Sequence, residues 1–230
     1  MKRNNNAKEI FTNIGIGLGA VLLAGASVLC DGNSSTSTCN VNTCYNPEVK
    51  GPEAYETVMK LKNDADKLYF SEYRPVNVNV MHYINGSTTI IINNYGEQTV
   101  YNYRRGGVIN DIKLPNGDVI IFRYAYSYNK LVGAQIAGLN YDFEYDYKGR
   151  ITKESVGRYY KQFEYDYKGN IRRISDNRGY WREYEYNSRN QIVSESGSRM
   201  KRKIYEYDYN GNLYNIIERW CYKKRGYVIM

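Results

Sequence analysis

The sequence of 230 residues has one histidine, four cysteines, four prolines, two tryptophans and five phenylalanines. A single histidine and four cysteines exclude most zinc and haem sites, which need several imidazole or thiolate ligands close together. Cys39 and Cys44 are four residues apart, but no second cysteine pair or histidine is available to complete four ligands. We therefore expect no metal site and no cofactor.

Signature strings of common enzymes are also missing. The sequence contains no GxSxG, HExxH or GxxxxGK[ST] string, which removes the sequence evidence for the corresponding hydrolases, zinc peptidases and phosphate-binding loops. His82 has no sequence-local partner, and we expect it to lie on a strand face. The prediction from these absences is that the protein is not an enzyme.

Tyrosine is the residue type in excess, with 27 copies. A ring that carries a hydroxyl suits a half-hydrated surface better than a dry core. The chain is 42% hydrophobic and 24% charged, as expected of a globular protein with one domain or two small ones.

The N-terminal 30 residues have the layout of an export signal. Lys2, Arg3 and Lys8 precede an apolar run over residues 14–29, which matches a basic region followed by a hydrophobic one. Small residues at 24–26 offer a cleavage site that would leave Ser27 first. Export predicts a periplasmic, surface or extracellular location.

Other interpretations of this segment stay open. Cys30 at the end of the apolar run resembles a lipoprotein acylation site, although Leu29 before it is bulkier than such sites usually allow. The run is slightly shorter than the roughly 20 residues of a spanning helix, so an uncleaved anchor is a second alternative, and a buried N-terminal helix is a third. An anchor or a lipid would attach the protein to a membrane.

Export would also place the cysteines where disulfides persist. Cys39 and Cys44 are close enough for a local bridge, whereas a bridge from residues 31–50 to Cys221 would close a very long loop. The connectivity is open, because four cysteines allow three pairings. The disulfide candidates are Cys30, Cys39, Cys44 and Cys221.

A single helix is expected near the start of the folded part. Apolar residues recur with helical spacing at Ala54, Val58, Leu61, Ala65 and Leu68. We expect this amphipathic helix to cover one face or end of a sheet; a partner-binding helix is the alternative. The predicted organisation is a signal peptide or membrane anchor at 1–30, a polar cysteine-containing linker at 31–51, the helix at 52–70, β-hairpins at 76–124, tandem repeats at 124–220 and a tail at 221–230.

After Phe70 the pattern changes to alternation, and no further helix is expected. Asn85-Gly86 and Asn116-Gly117 each separate two alternating runs, and Asn-Gly is a strong signal for a two-residue hairpin turn.

The second half is a tandem repeat of 20 or 21 residues. The string that begins Phe143-Glu-Tyr145-Asp-Tyr147 recurs from Phe163, from Tyr184 and from Tyr205, with a degenerate copy from Tyr124. Each copy predicts a strand with rings on one face, then a turn at glycine or, in the third copy, Asn190, and then an aliphatic return strand. One repeat is therefore one hairpin.

Stacked hairpins would place ring beside ring on one face. The opposite face is expected to be solvated, with repeat carboxylates close to basic residues of the return strands. The predicted acidic residues are Glu144, Asp146, Glu164, Asp166, Glu206 and Asp208. Their predicted partners are Lys153, Arg172, Arg173, Lys201 and Lys203.

The string Tyr165-Asp166-x-x-Gly169-Asn170-Ile171 and its copies at 145–151 and 207–213 resemble the YD repeat of the Rhs family. The third copy departs, with Asn187 in place of aspartate and Asn190 in place of glycine. The resemblance covers about residues 120–220. It implies a mainly β fold in which tandem hairpins form an extended, twisted antiparallel sheet, and links the repeats to surface attachment and carbohydrate binding. Four or five copies are too few to close the shell that long arrays form, and no toxin domain is expected.

The leading functional hypothesis is an exported, envelope-associated β protein with a binding or structural role. Its partner would be a polysaccharide, a cell-envelope polymer or another protein, contacted through a tyrosine-rich face. Nucleic acid is disfavoured despite a net charge of +8, because an exported protein meets envelope polymers first. The predicted binding residues are Tyr145, Tyr165, Tyr186 and Tyr207.

Two alternatives remain. The chain could be an orphan partner or remnant of a larger Rhs-type toxin system. It could also be a glycan hydrolase that uses repeat carboxylates such as Glu144 and Asp146, since glycosidases need two carboxyls roughly 5–9.5 Å apart. Repetition of this pair in most copies favours a structural role.

Overall fold

The computed structural model describes residues 47–72, 76–126 and 129–219. Within these ranges the chain forms one α-helix and fourteen β-strands, so the mainly β fold class is confirmed. The candidate cysteines Cys30, Cys39, Cys44 and Cys221 and the predicted signal lie outside the described residues. No helix in the described ranges is long and apolar enough to cross a membrane.

The first compact unit comprises residues 52–158. It contains helix α1 (Glu53–Phe70) followed by eight strands that pair in sequence order as antiparallel neighbours. These strands are β1 (Val78–His82), β2 (Thr88–Asn94), β3 (Glu97–Arg104), β4 (Val108–Lys113), β5 (Val119–Tyr124), β6 (Leu131–Ile136), β7 (Leu139–Tyr145) and β8 (Ile151–Val156).

The second unit comprises residues 47–51 and 159–219 of the described chain. Its six strands also pair antiparallel in sequence order. They are β9 (Tyr159–Tyr165), β10 (Ile171–Asp176), β11 (Trp181–Tyr186), β12 (Ile192–Gly197), β13 (Arg202–Tyr207) and β14 (Leu213–Arg219).

Helix α1 covers the ring face of the first unit. Val58, Leu61, Ala65 and Leu68 are buried, so four of the five residues in the predicted apolar stripe lie in the core. The Tyr103 hydroxyl donates a hydrogen bond to the carbonyl of Ala65, at 2.7 Å. The helix is therefore held by apolar burial and by a buried polar contact, and the predicted covering role is confirmed.

The helix begins without a side-chain cap of its own. Its N-cap residue is Pro52, which offers no hydroxyl or carboxylate to the first N–H groups. Instead Glu154 of β8 accepts hydrogen bonds from the N–H groups of Ala54 and Tyr55, at 2.9 and 3.1 Å. A sheet carboxylate thus replaces the local cap.

The repeat begins earlier in the chain than its sequence motif indicates. Six hairpins, from β3–β4 to β13–β14, share the same register shift just after the turn, where one extra residue enters the return strand. Tyr103 in β3 is the counterpart of Tyr124, 21 residues later. The hairpin β3–β4 is therefore a copy whose turn sequence has diverged.

The prediction that rings of successive hairpins lie side by side was wrong. Directly opposite Phe163 lies Ile174, and opposite Phe122 lies Ala134. A return strand therefore separates one ring-bearing strand from the next. Tyr55 and Tyr69 of α1 instead form close ring pairs, including those with Phe143 and Tyr103 of the sheet.

Candidate functional site

In four of the ring-bearing strands, the hydroxyl of the last tyrosine donates a hydrogen bond to the preceding hairpin and so braces it. The hydroxyl of Tyr186 donates to the carbonyl of Ile171 at 2.7 Å, and that of Tyr207 donates to Ile192 at 2.8 Å. Tyr124 and Tyr145 make the corresponding bonds in the first unit. Burial raises the pKa of Tyr186 to about 12, so this phenol remains a protonated donor at neutral pH.

The four predicted binding tyrosines occupy different surroundings. Tyr145 lies beneath α1, with its ring 5.9 Å from that of Tyr55 and the Lys130 ammonium 3.6 Å from its centroid. Tyr165 is half-buried and is not part of the groove described below. Tyr186 and Tyr207, both half-buried, line that groove. The structure therefore brings together two of the four.

The aspartate of the YD motif closes the hairpin turn. Asp166 accepts hydrogen bonds from the backbone N–H and the side-chain amide of Asn170, at 2.9 and 3.0 Å. Asp208 and Asn212 repeat the arrangement. Desolvation alone would raise the pKa of Asp166, but hydrogen bonds from Asn170, Lys168 and Gly169 outweigh it and the pKa lies below its usual value.

The prediction that all the repeat carboxylates lie on a solvated strand face was wrong for the motif aspartates. Asp146, Asp166 and Asp208 lie in the turns and bond there, because the register shift ends the pairing at the preceding tyrosine. The predicted pairing is confirmed for Glu144 with Lys153, at 2.8 Å, and for Glu164 with Arg172, at 2.7 Å.

The turns of the second unit are also linked to one another. Lys168 donates to the carbonyl of Ser188 at 3.1 Å, and Arg189 donates to the carbonyl of Tyr209 at 2.8 Å. Gln191 donates to the carbonyl of Gly211 at 2.7 Å. Each donor reaches a carbonyl 20 residues later, in the turn of the next repeat, so polar side chains hold successive turns at a constant offset.

A groove of about 430 Å³ lies beside these turns in the second unit. Two tyrosine rings, two isoleucines, one proline and one valine provide its apolar surface, and three side-chain amides provide polar groups. None of its described lining residues carries a charge. The lining consists of Pro47, Val49, Asn170, Ile171, Tyr186, Asn190, Gln191, Ile192, Tyr207 and Gly211.

The amides of this groove retain hydrogen-bonding capacity. Asn190 accepts a long hydrogen bond of 3.3 Å from Asn170, and its own side chain is exposed. Gln191 accepts from Asn187 at 3.0 Å while donating to Gly211. A primary amide has two donor hydrogens and two acceptor lone pairs, so each retains groups that a ligand can engage.

Sequence reasoning missed three highly exposed tyrosines in the repeat turns. Tyr147, Tyr167 and Tyr209 follow the motif aspartates in the turns and are 91%, 85% and 86% exposed. The motif contained the signal, since these residues recur two positions after the bracing tyrosine. In the third copy Ser188 takes this place and no ring is present.

Two buried carboxylates were also missed. Glu154 and Glu195 occupy return-strand positions where other copies have Ile112, Ala134 or Ile174, all buried. Glu195 accepts a hydrogen bond from the Tyr205 hydroxyl at 2.8 Å and pairs with Arg182 at 2.9 Å. A glutamate in an otherwise aliphatic position of the repeat was the available signal.

Other candidate groups form no reactive cluster in the described ranges. His82 lies in β1 and contacts the hydroxyl of Thr88 at 3.0 Å. The described residues include no group of three or more metal-ligating side chains. Glu144 and Asp146, the carboxylates of the hydrolase alternative, are paired with Lys153 and Arg150.

No family model and no curated protein matches the chain. Among solved structures it is similar to TcdB2-TccC3-Cdc42, with 14% identity and a TM-score of 0.34, over 60% of this chain. It is also similar to TcdB2-TccC3, with 12% identity and a TM-score of 0.36, over 62% of this chain. The chain covers 11% of each of those chains. Similarity at this level carries no functional argument.

Proposed function

We propose that this chain is an exported, envelope-associated protein that binds a neutral glycan in the groove of its second unit. The observation that carries the binding proposal is the groove lining, which combines Tyr186 and Tyr207 with the amides of Asn170, Asn190 and Gln191. Export rests on the basic and apolar pattern of residues 2–29.

The chemistry of the groove suits a sugar ring. A pyranose has an apolar face that packs on an aromatic ring, and its hydroxyls both donate and accept hydrogen bonds. Tyrosine supplies apolar surface next to a polar edge, and side-chain amides can donate and accept at once. Such a combination of apolar surface and a few directed polar groups is typical of small-ligand sites.

The charge of the groove lining distinguishes neutral from anionic polymers as ligands. The chain has a net charge of +8, yet the described residues of the groove carry no charged side chain. An anionic polysaccharide or a nucleic acid would be expected to contact lysine or arginine. The groove therefore favours an uncharged ligand.

The test compares two tyrosines with equivalent hydrogen bonds. The full chain, recovered from the envelope fraction, is applied to an array of neutral and anionic glycans, including cello- and chito-oligosaccharides. Wild type should bind neutral glycans, and Tyr207→Leu should weaken binding about fivefold or more, because loss of ring stacking is worth roughly 1 kcal/mol or more.

Tyr124→Leu is the matched control. The hydroxyl of Tyr124 donates to the carbonyl of Ile109, as that of Tyr207 donates to the carbonyl of Ile192. Tyr124, however, lies in the first unit and outside the groove. It should lose similar stability and keep glycan binding. Equal loss of binding in both variants, or no binding of wild type to any neutral glycan, would refute the proposal.

A structural role, as partner or remnant of a larger repeat protein, is the second candidate. The bracing tyrosines and linked turns favour it, since each hairpin stabilises the one before it. If this alternative holds, the array shows no glycan binding, and Tyr124→Leu and Tyr207→Leu differ from wild type only in stability.

A further inference from the structure

The third repeat departs from the others mainly in its turn. The copies that begin at Phe143, Phe163 and Tyr205 have aspartate, tyrosine and glycine at the first, second and fourth turn positions, as in Asp166, Tyr167 and Gly169. The third copy has asparagine, serine and asparagine there. Its turn sequence is Asn187-Ser188-Arg189-Asn190-Gln191.

These departures leave the turn geometry intact. The side-chain oxygen of Asn187 accepts hydrogen bonds from the N–H groups of Arg189 and Gln191, at 2.9 and 3.0 Å. The backbone of Asn187 pairs with Gln191, as Asp166 pairs with Asn170. Formation of the hairpin therefore does not explain the substitutions.

One substitution carries a conformational cost. Asn190 has φ of 61°, whereas the corresponding Gly169 and Gly211 have φ of 98° and 91°. Asparagine tolerates the left-handed region better than most residues, but glycine adopts it without a steric penalty. The third copy thus has a side chain at a position where the copies that begin at Phe143, Phe163 and Tyr205 have glycine.

The substituted residues coincide with the groove. Asn190 and Gln191 are both part of its lining. At position 188, serine replaces a ring that projects into solvent in other copies, where Tyr167 and Tyr209 are 85% and 86% exposed. At position 187, a neutral amide replaces the motif carboxylate.

We propose that the turn of the third repeat is the specificity-determining element of the groove, with Asn190 and Gln191 as the residues that hydrogen-bond the hydroxyl or acetamido groups of a neutral oligosaccharide. This inference rests on the proposed function. The repeat supplies the scaffold, the tyrosine rings and the amide of Asn170, and the divergent turn adds the amides of Asn190 and Gln191.

Replacing Asn190 with the glycine found in other copies distinguishes an effect on ligand binding from an effect on folding. Asn190→Gly should leave the free energy of unfolding unchanged or slightly higher, because the backbone is already left-handed. Affinity for cellohexaose or chitohexaose, measured by titration calorimetry, should fall about three- to tenfold, as expected for loss of one hydrogen bond of roughly 0.5–1.5 kcal/mol.

Asn129→Gly is the matched control. Asn129 also has a left-handed backbone, with φ of 48°, in a hairpin turn of the first unit, and its replacement should not change affinity. If wild type binds these oligosaccharides and Asn190→Gly binds them equally well, this inference is overturned and the proposed function stands. If wild type binds neither of them nor any other neutral glycan, both fail.

Discussion

At the scale of single residues, the recurring positions of the repeat motif make hydrogen bonds that hold the hairpins together. The tyrosine hydroxyl bonds a carbonyl of the preceding hairpin, and the aspartate closes the turn that follows. The tyrosine excess therefore has a structural cause in most copies. Only Tyr186 and Tyr207, of the four predicted binding tyrosines, lie in the groove.

The turn aspartates predict a dependence of stability on pH. The folded-state pKa of Asp166 is depressed, so its contribution to stability is present above the unfolded pKa, about 3.9, and is lost as pH falls through the folded value. Urea unfolding at pH 7 and near pH 3 should show lower stability in acid, with a smaller decrease for Asp166→Asn.

Asp166→Asn should keep the turn, because Asn187 already forms the same bonds in the third copy. Asp166→Ala removes the acceptor and should lose about 0.5–1.5 kcal/mol at neutral pH. A decrease in acid that is identical in wild type and Asp166→Asn would contradict this explanation of the turn.

At the scale of elements, α1 depends on a residue one hundred positions away. Glu154 accepts hydrogen bonds from the first N–H groups of the helix and is 4% exposed. A carboxylate at this end also complements the helix dipole. The helix sequence alone could not reveal this cap, because Pro52 stands where a capping side chain is usual.

Glu154→Ala should therefore destabilise the first unit. Two partly buried N–H groups of α1 would lose their acceptor, at a total cost of about 1–3 kcal/mol. Glu154→Gln keeps one acceptor oxygen and should lose less. Helix content by circular dichroism and the urea midpoint are the measurements.

Glu144→Ala is the control for this experiment. Glu144 is exposed and pairs with Lys153, and exposed ion pairs contribute about 0–1 kcal/mol. If Glu144→Ala and Glu154→Ala cost the same, the capping role of Glu154 is wrong.

At the scale of the molecule, packing of the helix on the sheet of the first unit depends on Gly107. Its φ is +75°, and an added Cβ would lie 2.4 Å from the ring of Tyr69. Gly117 has φ of +89° and no atom within 4 Å of such a Cβ. The two glycines have similar backbones, but only Gly107 faces the helix.

Gly117→Ala should cost about 1–2 kcal/mol, the conformational penalty alone. Gly107→Ala should cost a further 1–3 kcal/mol, because the Tyr69 ring must move. Thermal unfolding of both variants measures the difference. Equal costs would show that Tyr69 moves freely and that the helix is not closely packed there.

Local sequence was sufficient to predict the mainly β class, the helix and the hairpins. Helical spacing at Val58, Leu61, Ala65 and Leu68, and glycine at the turns, reflect the short-range geometry of helices and strands. The 21-residue period likewise revealed the array, because each hairpin must repeat the same contacts with its neighbour.

Long-range contacts decided the rest. Only the folded chain places Glu154 at the helix end, separates successive rings by a return strand, and moves the motif aspartates from the strand face into the turns. The groove is likewise tertiary, since Pro47, Tyr186, Asn190 and Gly211 come from distant parts of the sequence. Sequence periodicity specifies which residues are equivalent. The pairing register and the elements that cover each face determine which of these equivalent residues remain exposed.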